Sequence, residues 1–432
     1  MIIHVVQPGE TIYAIAKSYN FPVERLILDN GLSNYNNLVV GQTIVIAFPA
    51  QTYTVQEGDN LLSIANKNGI TIIELLRNNP FISDREYLIP GEILVLSYGN
   101  KISTITTNGY TNTYINKNIL KKTLPFLTYL SIFGYKTLYN GQIQDINDQY
   151  IIKTAKNFGV APIMLLSTLT EQGTGDIETE YRILYNHDLS YIHIENIIYI
   201  LKTKGFYGLN ISFQFINSDN QQIYENYLVK LTQRLHNEGY KVFVTITPNI
   251  VYNVNEITFE RVNYSGIGRE ADIVNIMNYN WGYSYGPPSP ISSDFMLRQF
   301  LDYTITMIPP RKIIVGMPVI GYDWELPYVI GVSKASALSL ESVIDLAIDY
   351  GSIIQFDDIS KTPHFGYAIN KSGILIQHKV WFIDVRSVDA LAKLIPDYGL
   401  SGSGIWNIIT YYNQLWLSVN AQYDIDTIPN VI

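Results

Sequence analysis

The sequence predicts an α/β protein: a (β/α)8 barrel with a small α+β insertion, preceded by two βααβ units. Three observations carry this. A segment of about fifty residues at the N-terminus is followed by a second copy of itself, the mark of a repeated structural unit. From Asn108 onward, short apolar runs alternate with helix-patterned stretches, the order expected of parallel strands joined by helical crossovers. Residues 108–432 also exceed the ~250 residues of a plain barrel, which leaves room for an insertion.

In the repeat, HVVQPGETIYAIAKSYN at His4–Asn20 lines up with YTVQEGDNLLSIANKNG at Tyr53–Gly69. Gly9 then matches Gly58, Ala16 matches Ala65, and Asn30 matches Asn79. Each copy reads as strand, helix, helix, strand. HVV and YTV are β-prone openings, Gly9 or Gly58 makes the turn, and Thr11 caps the helix that follows in the first copy. VERLILDN and IIELLRNN form the second helix. QTIVIAF and EILVLSY close each unit after glycine turns at Gly41 and Gly91. The units occupy residues 1–48 and 51–97, and residues 98–107 read as a linker.

Beyond the linker, LTYLSIF, APIMLLST, GLNISFQF, KVFVTIT, DIVNIMNYN and KIIVGMPVIGY are strand candidates. DINDQYIIKTAKNFG and NQQIYENYLVKLTQRLHNEGY are helical stretches between them. SLESVIDLAIDYGSIIQFDD and the residues after it read as a helix followed by antiparallel strands, which places the insertion at about 333–384. GSGIWNI returns the chain to the barrel.

Composition narrows the function. Charged residues are 16% of the chain, below the usual share of about 25%, while 47% is hydrophobic, enough for full-sized cores. The polar surface must therefore come from Asn, Ser, Thr and the 34 Tyr, whose flat face and hydroxyl suit sugar rings. A net charge of −9 with no basic stripe excludes a nucleic-acid partner. There is no Cys, so disulfides and thiolate zinc sites are excluded, and the scattered histidines lack metal-ligand spacing. No metal or cofactor is expected. No apolar run approaches the ~20 residues of a membrane span, and MIIHVVQPGE does not read as a Sec signal peptide.

The repeat, V-Q-x-G-(E/D)-x-(I/L)-x-x-I-A followed by the asparagine and a glycine-led closing strand, resembles the LysM motif. That resemblance implies binding of N-acetylglucosamine-containing polymers, peptidoglycan or chitin, in a groove between the first loop and the second helix. It places Gly9, Thr11, Asp29 and Asn30 of the first copy, and Gly58, Asn60, Asn78 and Asn79 of the second, in contact range.

From NGYTN at Asn108–Asn112 through MNYNWGYSYGPPSPI, MPVIGYDWELPYV and GIWN, the barrel resembles family 18 glycoside hydrolases, especially the spore cortex-lytic N-acetylglucosaminidases. Active members carry D-G-x-(D/N)-x-D-x-E on the fourth strand. Alternate spacing puts its last three acidic positions on one face, pointing into the barrel mouth. The Glu protonates the glycosidic oxygen, and the Asp before it orients the substrate's N-acetyl group, which is itself the nucleophile. The aligned segment here runs from Tyr207 to Gln214. Asn210 keeps a residue type found in the spore branch, Ser212 stands at the orienting Asp, and Gln214 stands at the acid. An amide cannot release a proton near neutral pH, and the acid alone typically contributes ~10²–10⁴-fold. The resemblance assigns Tyr279 to the N-acetyl carbonyl, Trp406 to the floor of the −1 sugar site, and Asn280, Tyr322 and Asp323 to substrate contact. Glu171 and Glu195 are the carboxylates weighed as substitutes for the acid.

The expected function is a peptidoglycan-binding protein of the spore cortex or coat with an inactive barrel, serving in wall binding or spore-layer assembly beside other spore-layer proteins. The alternative is an active N-acetylglucosaminidase that degrades spore cortex during germination.

Overall fold

The computed structural model describes the chain except for residues 84, 86, 169–174, 214, 253–256, 278–283 and 430–432. Both repeats fold as strand, helix, helix, strand. In the first, Ile2–Val5 pairs antiparallel with Thr43–Ile46 around helices Ile12–Ser18 and Val23–Asn30. In the second, Pro49–Thr54 pairs with Ile93–Tyr98 around Leu61–Asn68 and Ile72–Asn78. Each has its own core, with Ile12, Ile15, Leu26 and Ile44 in one and Ile64, Leu75, Ile82 and Leu94 in the other. Gly9 and Gly58 sit at φ +81° and +85°, which only glycine adopts cheaply.

Eight parallel strands close into a barrel: β1 (Ser103–Thr111), β2 (Tyr129–Thr137), β3 (Ala161–Ser167), β4 (Gly208–Ser212), β5 (Lys241–Ile246), β6 (Ile273–Ile276), β7 (Ile313–Pro318) and β8 (Gly402–Trp406). Pairing of β1 with both β2 and β8 completes the ring. The β-branched run STITT is already strand, so the connection from the second repeat is residues 99–102, shorter than the sequence suggests.

Alternate residues fill the barrel in layers. Tyr129, Ile163, Phe243, Ile273 and Ile314 form an apolar base. Above it lie Asn108, Ser131, Asn210, Thr245 and Asn275, all buried and all uncharged. Tyr110, Leu165, Met277, Phe133 and Trp406 form the layer at the mouth. Gly404 leaves the space Tyr110 occupies, since a Cβ there would lie 3.1 Å from the Tyr110 ring.

Between β7 and the helix Val385–Tyr398 the chain builds a five-stranded antiparallel sheet, Gly321–Leu326, Ser336–Leu338, Gln355–Asp357, Thr362–Lys371 and Ile374–Phe382, backed by the helix Leu340–Asp349.

The repeats are docked on the barrel. Val45 and Ala47 of the first and Val95 and Tyr98 of the second share one buried cluster with Val385 and Leu417. Gln414 donates to the Thr43 carbonyl (2.6 Å), the Val40 carbonyl accepts from the Ile354 N–H (2.9 Å), and Arg77 donates to the Pro125 carbonyl (2.6 Å). At Gly41, φ is +88° and a Cβ would lie 2.0 Å from the Ile354 carbonyl oxygen, so glycine alone permits this approach.

Candidate functional site

The fourth strand enters the middle of the barrel. Asn210 is fully buried, and its side-chain oxygen accepts from the Thr245 hydroxyl at 2.8 Å. Its amide nitrogen lies 3.4 Å from Ser131 Oγ and 3.5 Å from the Tyr110 hydroxyl. Ser131 in turn donates to Asn108 at 3.0 Å. The network is neutral, so it holds shape without supplying charge. Ser212 lies two residues nearer the mouth on the same face, half-buried, opposite Thr245. Gln214, Tyr279 and Asn280 lie outside the described residues.

Trp406 ends β8 at the mouth. Its half-buried ring packs on Tyr110 (5.4 Å between centroids) and Phe133 (5.9 Å). The Trp406–Asn407 peptide is cis.

The inserted sheet stands beside the mouth. Tyr322 pairs with Trp381 across adjacent strands, and its ring lies 5.7 Å from that of Trp324. Burial pushes the Tyr322 hydroxyl pKa up. The buried Trp324 donates its indole N–H to the Gly286 carbonyl (2.9 Å), and Ala335 donates to the Ser284 carbonyl (2.7 Å), which ties this wall to the loop after β6. Trp381 carries Lys379 over its ring at 5.2 Å, and its ring lies 4.3 Å from the His364 ring, tilted by 56°. Sequence reading missed this cluster. His364, Lys379 and Trp381 alternate along two strands, a period-two signal that a chain rich in aromatics hides.

Asp323 does not join Tyr322. Strand alternation turns it to the opposite face, where its carboxylate accepts from the Tyr367 hydroxyl (2.6 Å) and lies 3.1 Å from His378 Nδ1. Glu195 lies on an outer helix, its carboxylate held by Arg234 at 2.9 Å. Glu171 is outside the described residues. One buried carboxylate escaped sequence reading: Glu180, which accepts from the Thr168 hydroxyl (2.8 Å) and from the Tyr224 hydroxyl. It lines a small cavity with Ile183, Ser212 and Phe213, and only the i+3 pattern of its helix could have marked it as inward-facing.

In the repeats, the expected contact residues divide. Thr11 accepts from the Ala14 N–H (3.2 Å) and Asn60 from the Ser63 N–H (2.9 Å), so both cap helices beside Gly9 and Gly58. Asn79 is fully buried, donates to the Leu75 and Val95 carbonyls (3.0 and 2.7 Å) and accepts from the Val95 N–H (2.8 Å). Asn30 repeats this with Leu26 and Val45 and also accepts from Gln414 (3.2 Å). Asn78 donates to the Leu96 carbonyl (2.6 Å) and accepts from Asn420 of the barrel (2.8 Å). Asp29 is ion-paired with Arg25 at 2.7 Å, and burial still pushes its carboxyl up. Asn30, Asn78 and Asn79 thus hold helix to strand and repeat to barrel.

Among the described residues, no group of His, Cys, Asp and Glu could hold a metal ion, and no helix is long and apolar enough to cross a membrane.

Comparison with known proteins agrees with this architecture. The LysM domain model matches residues 4–47 and 53–97, and the model for glycosyl hydrolases family 18 matches residues 111–410. The chain is 30% identical to the cortical fragment-lytic enzyme of Bacillus subtilis (strain 168), over 98% of this chain and 99% of the relative. It is also 30% identical to the putative sporulation-specific glycosylase YdhD of that organism, over 94% and 95%. The crystal structure of the spore cortex-lytic enzyme SleL of Bacillus megaterium QM B1551 superposes with a TM-score of 0.79 at 29% identity, over 99% of both chains. With its barrel matched from 111 to 410 behind two LysM domains, the chain belongs to glycosyl hydrolases family 18.

Proposed function

We propose that the chain binds N-acetylglucosamine-containing peptidoglycan of the spore cortex, and that its barrel holds this glycan without cleaving it by the family's route. The carrying observation is the fourth strand. Ser212 stands where the orienting carboxylate belongs and Gln214 where the acid belongs, while the layer beneath them is neutral. Neither side chain can protonate a leaving oxygen or stabilise a developing oxazolinium. The half-buried aromatic ring of Trp406 at the mouth and the Tyr322–Trp381 wall support sugar binding. Association with the spore layers, and a role in their assembly, follow from this reading and from the relatives' names.

The same names favour a second reading, hydrolysis of cortical fragments, since the relatives called cortical fragment-lytic enzymes match nearly the whole chain. That reading needs an acid from elsewhere. Glu195, held by Arg234 on an outer helix, does not provide it; Glu180, which lines a small cavity with Ser212, is the described carboxylate that such a reading would have to use, and it accepts from the Thr168 and Tyr224 hydroxyls. Sedimentation of the full chain with insoluble spore peptidoglycan tests the binding claim. Retention by wild type and weakened retention by Trp406→Ala are expected; a protein that stays in the supernatant refutes it.

A further inference from the structure

The first LysM repeat, the barrel and the inserted sheet enclose a cavity of about 400 Å³. Small-ligand sites commonly measure about 300–1,000 Å³. We propose that this junction cavity is a second glycan site, taking a short N-acetylated saccharide separate from one held at the barrel mouth. The proposal rests on the glycan reading above.

Its walls come from three distant parts of the chain. Ser33 and Asn34 belong to the loop after the second helix of the first repeat, Ile344 to the helix behind the inserted sheet, and Thr410 and Tyr411 to the loop after β8. The cavity therefore exists only while the repeat is docked. The docking is built for it: Asn34 donates to Asp345 at 2.7 Å, Asn413 donates to the Leu28 carbonyl at 3.2 Å, and a Cβ on Gly31 would lie 2.6 Å from Asn413.

The lining chemistry is that of a sugar site. Hydroxyls and amides of Ser33, Asn34, Ser339, Thr410 and Asn413 alternate with apolar Leu32, Val319 and Ile344. A pyranose presents the same alternation, hydroxyls at its edge and C–H groups on its faces. Tyr411 adds a ring with the Lys122 ammonium 4.0 Å from its centroid. A smaller cavity between the two repeats and the barrel shares Lys122, Tyr411 and Asn413 with this one.

The site also communicates with the mouth. Val319 lines the cavity, and its N–H donates to the Trp406 carbonyl at 2.9 Å. Residues 407–412 run from the Trp406 floor to the cavity wall. A saccharide that binds only the docked form stabilises docking by mass action.

Calorimetric titration of the full chain with N-acetylglucosamine tetrasaccharide tests this. Thr410 and Ser33 are exposed at the rim, so Thr410→Trp and Ser33→Trp fill the cavity from opposite walls without disturbing a core. Each is expected to lower the number of tetrasaccharides bound per chain by one. Trp406→Ala should lower it by one independently. If both filled variants, folded by circular dichroism and thermal melting, bind as many tetrasaccharides as wild type, the junction proposal is wrong and the mouth reading stands. If wild type binds none, both fall together.

Discussion

Asn79 separates a structural from a ligand-contact role. Replacing it with Ala removes one acceptor and one donor group that together serve three backbone partners. The Val95 N–H loses its 2.8 Å acceptor, and the Leu75 and Val95 carbonyls lose donors at 3.0 and 2.7 Å. All lie in a fully buried position, where water cannot substitute. An unpaired buried N–H costs about 1–3 kcal/mol and the two carbonyls somewhat less, so about 2–4 kcal/mol is expected in all. Hydrogen exchange at residues 93–98 under native conditions reads this loss locally, and urea unfolding reads it globally. Peptidoglycan retention should persist at temperatures where the second repeat remains folded. A change under ~0.5 kcal/mol, well below that range, together with lost retention would show that Asn79 touches sugar and that its role in the fold is wrongly assigned.

Three further outcomes follow from other contacts. The buried His193 ring lies 2.7 Å from the Tyr227 hydroxyl and 3.0 Å from the Thr137 hydroxyl, and burial pushes its pKa down from 6.5 to about 4. The unfolded chain therefore takes up that proton first: stability is full above pH 6.5 and falls by up to about 3 kcal/mol as pH drops toward 4, and His193→Gln should flatten the urea-midpoint profile in that window. Gly41→Ala forces a Cβ to 2.0 Å from the Ile354 carbonyl at φ +88°, so it should loosen the first repeat from the inserted sheet, read as faster proteolysis between residues 1 and 48 with the barrel intact. Removing residues 1–97 uncovers the buried Val385 and Leu417, each worth about 1.5–3 kcal/mol when fully buried, so the truncated barrel should melt lower and self-associate on size-exclusion chromatography.

The barrel and the repeats were legible because each follows a short-range rule: strand–helix alternation and a repeated turn glycine. Asp323 was misplaced because period two also turns a residue away, and only the pairing with Val380 shows which face of the sheet meets the barrel. Asn30 and Asn79 looked like groove residues because they follow the second helix in both copies. The fold uses them to satisfy a strand that begins more than a dozen residues later, a long-range demand the local pattern does not carry. Docking of the repeats, and with it the junction cavity, depends on Gly31 and Gly41 meeting residues more than three hundred positions away.

The most direct measurement of the central claim is product analysis of muramic-δ-lactam-containing cortex fragments incubated with the wild-type chain, alongside a Ser212→Asp, Gln214→Glu double variant. Wild type is expected to release no new reducing ends between pH 4 and 8, and Gln214→Glu alone to recover little, because acid and orienting groups serve one mechanism and their effects do not add. Turnover by the unmodified chain that disappears in Trp406→Ala would contradict the claim and make this barrel a working hydrolase with an acid other than the one its strand lacks.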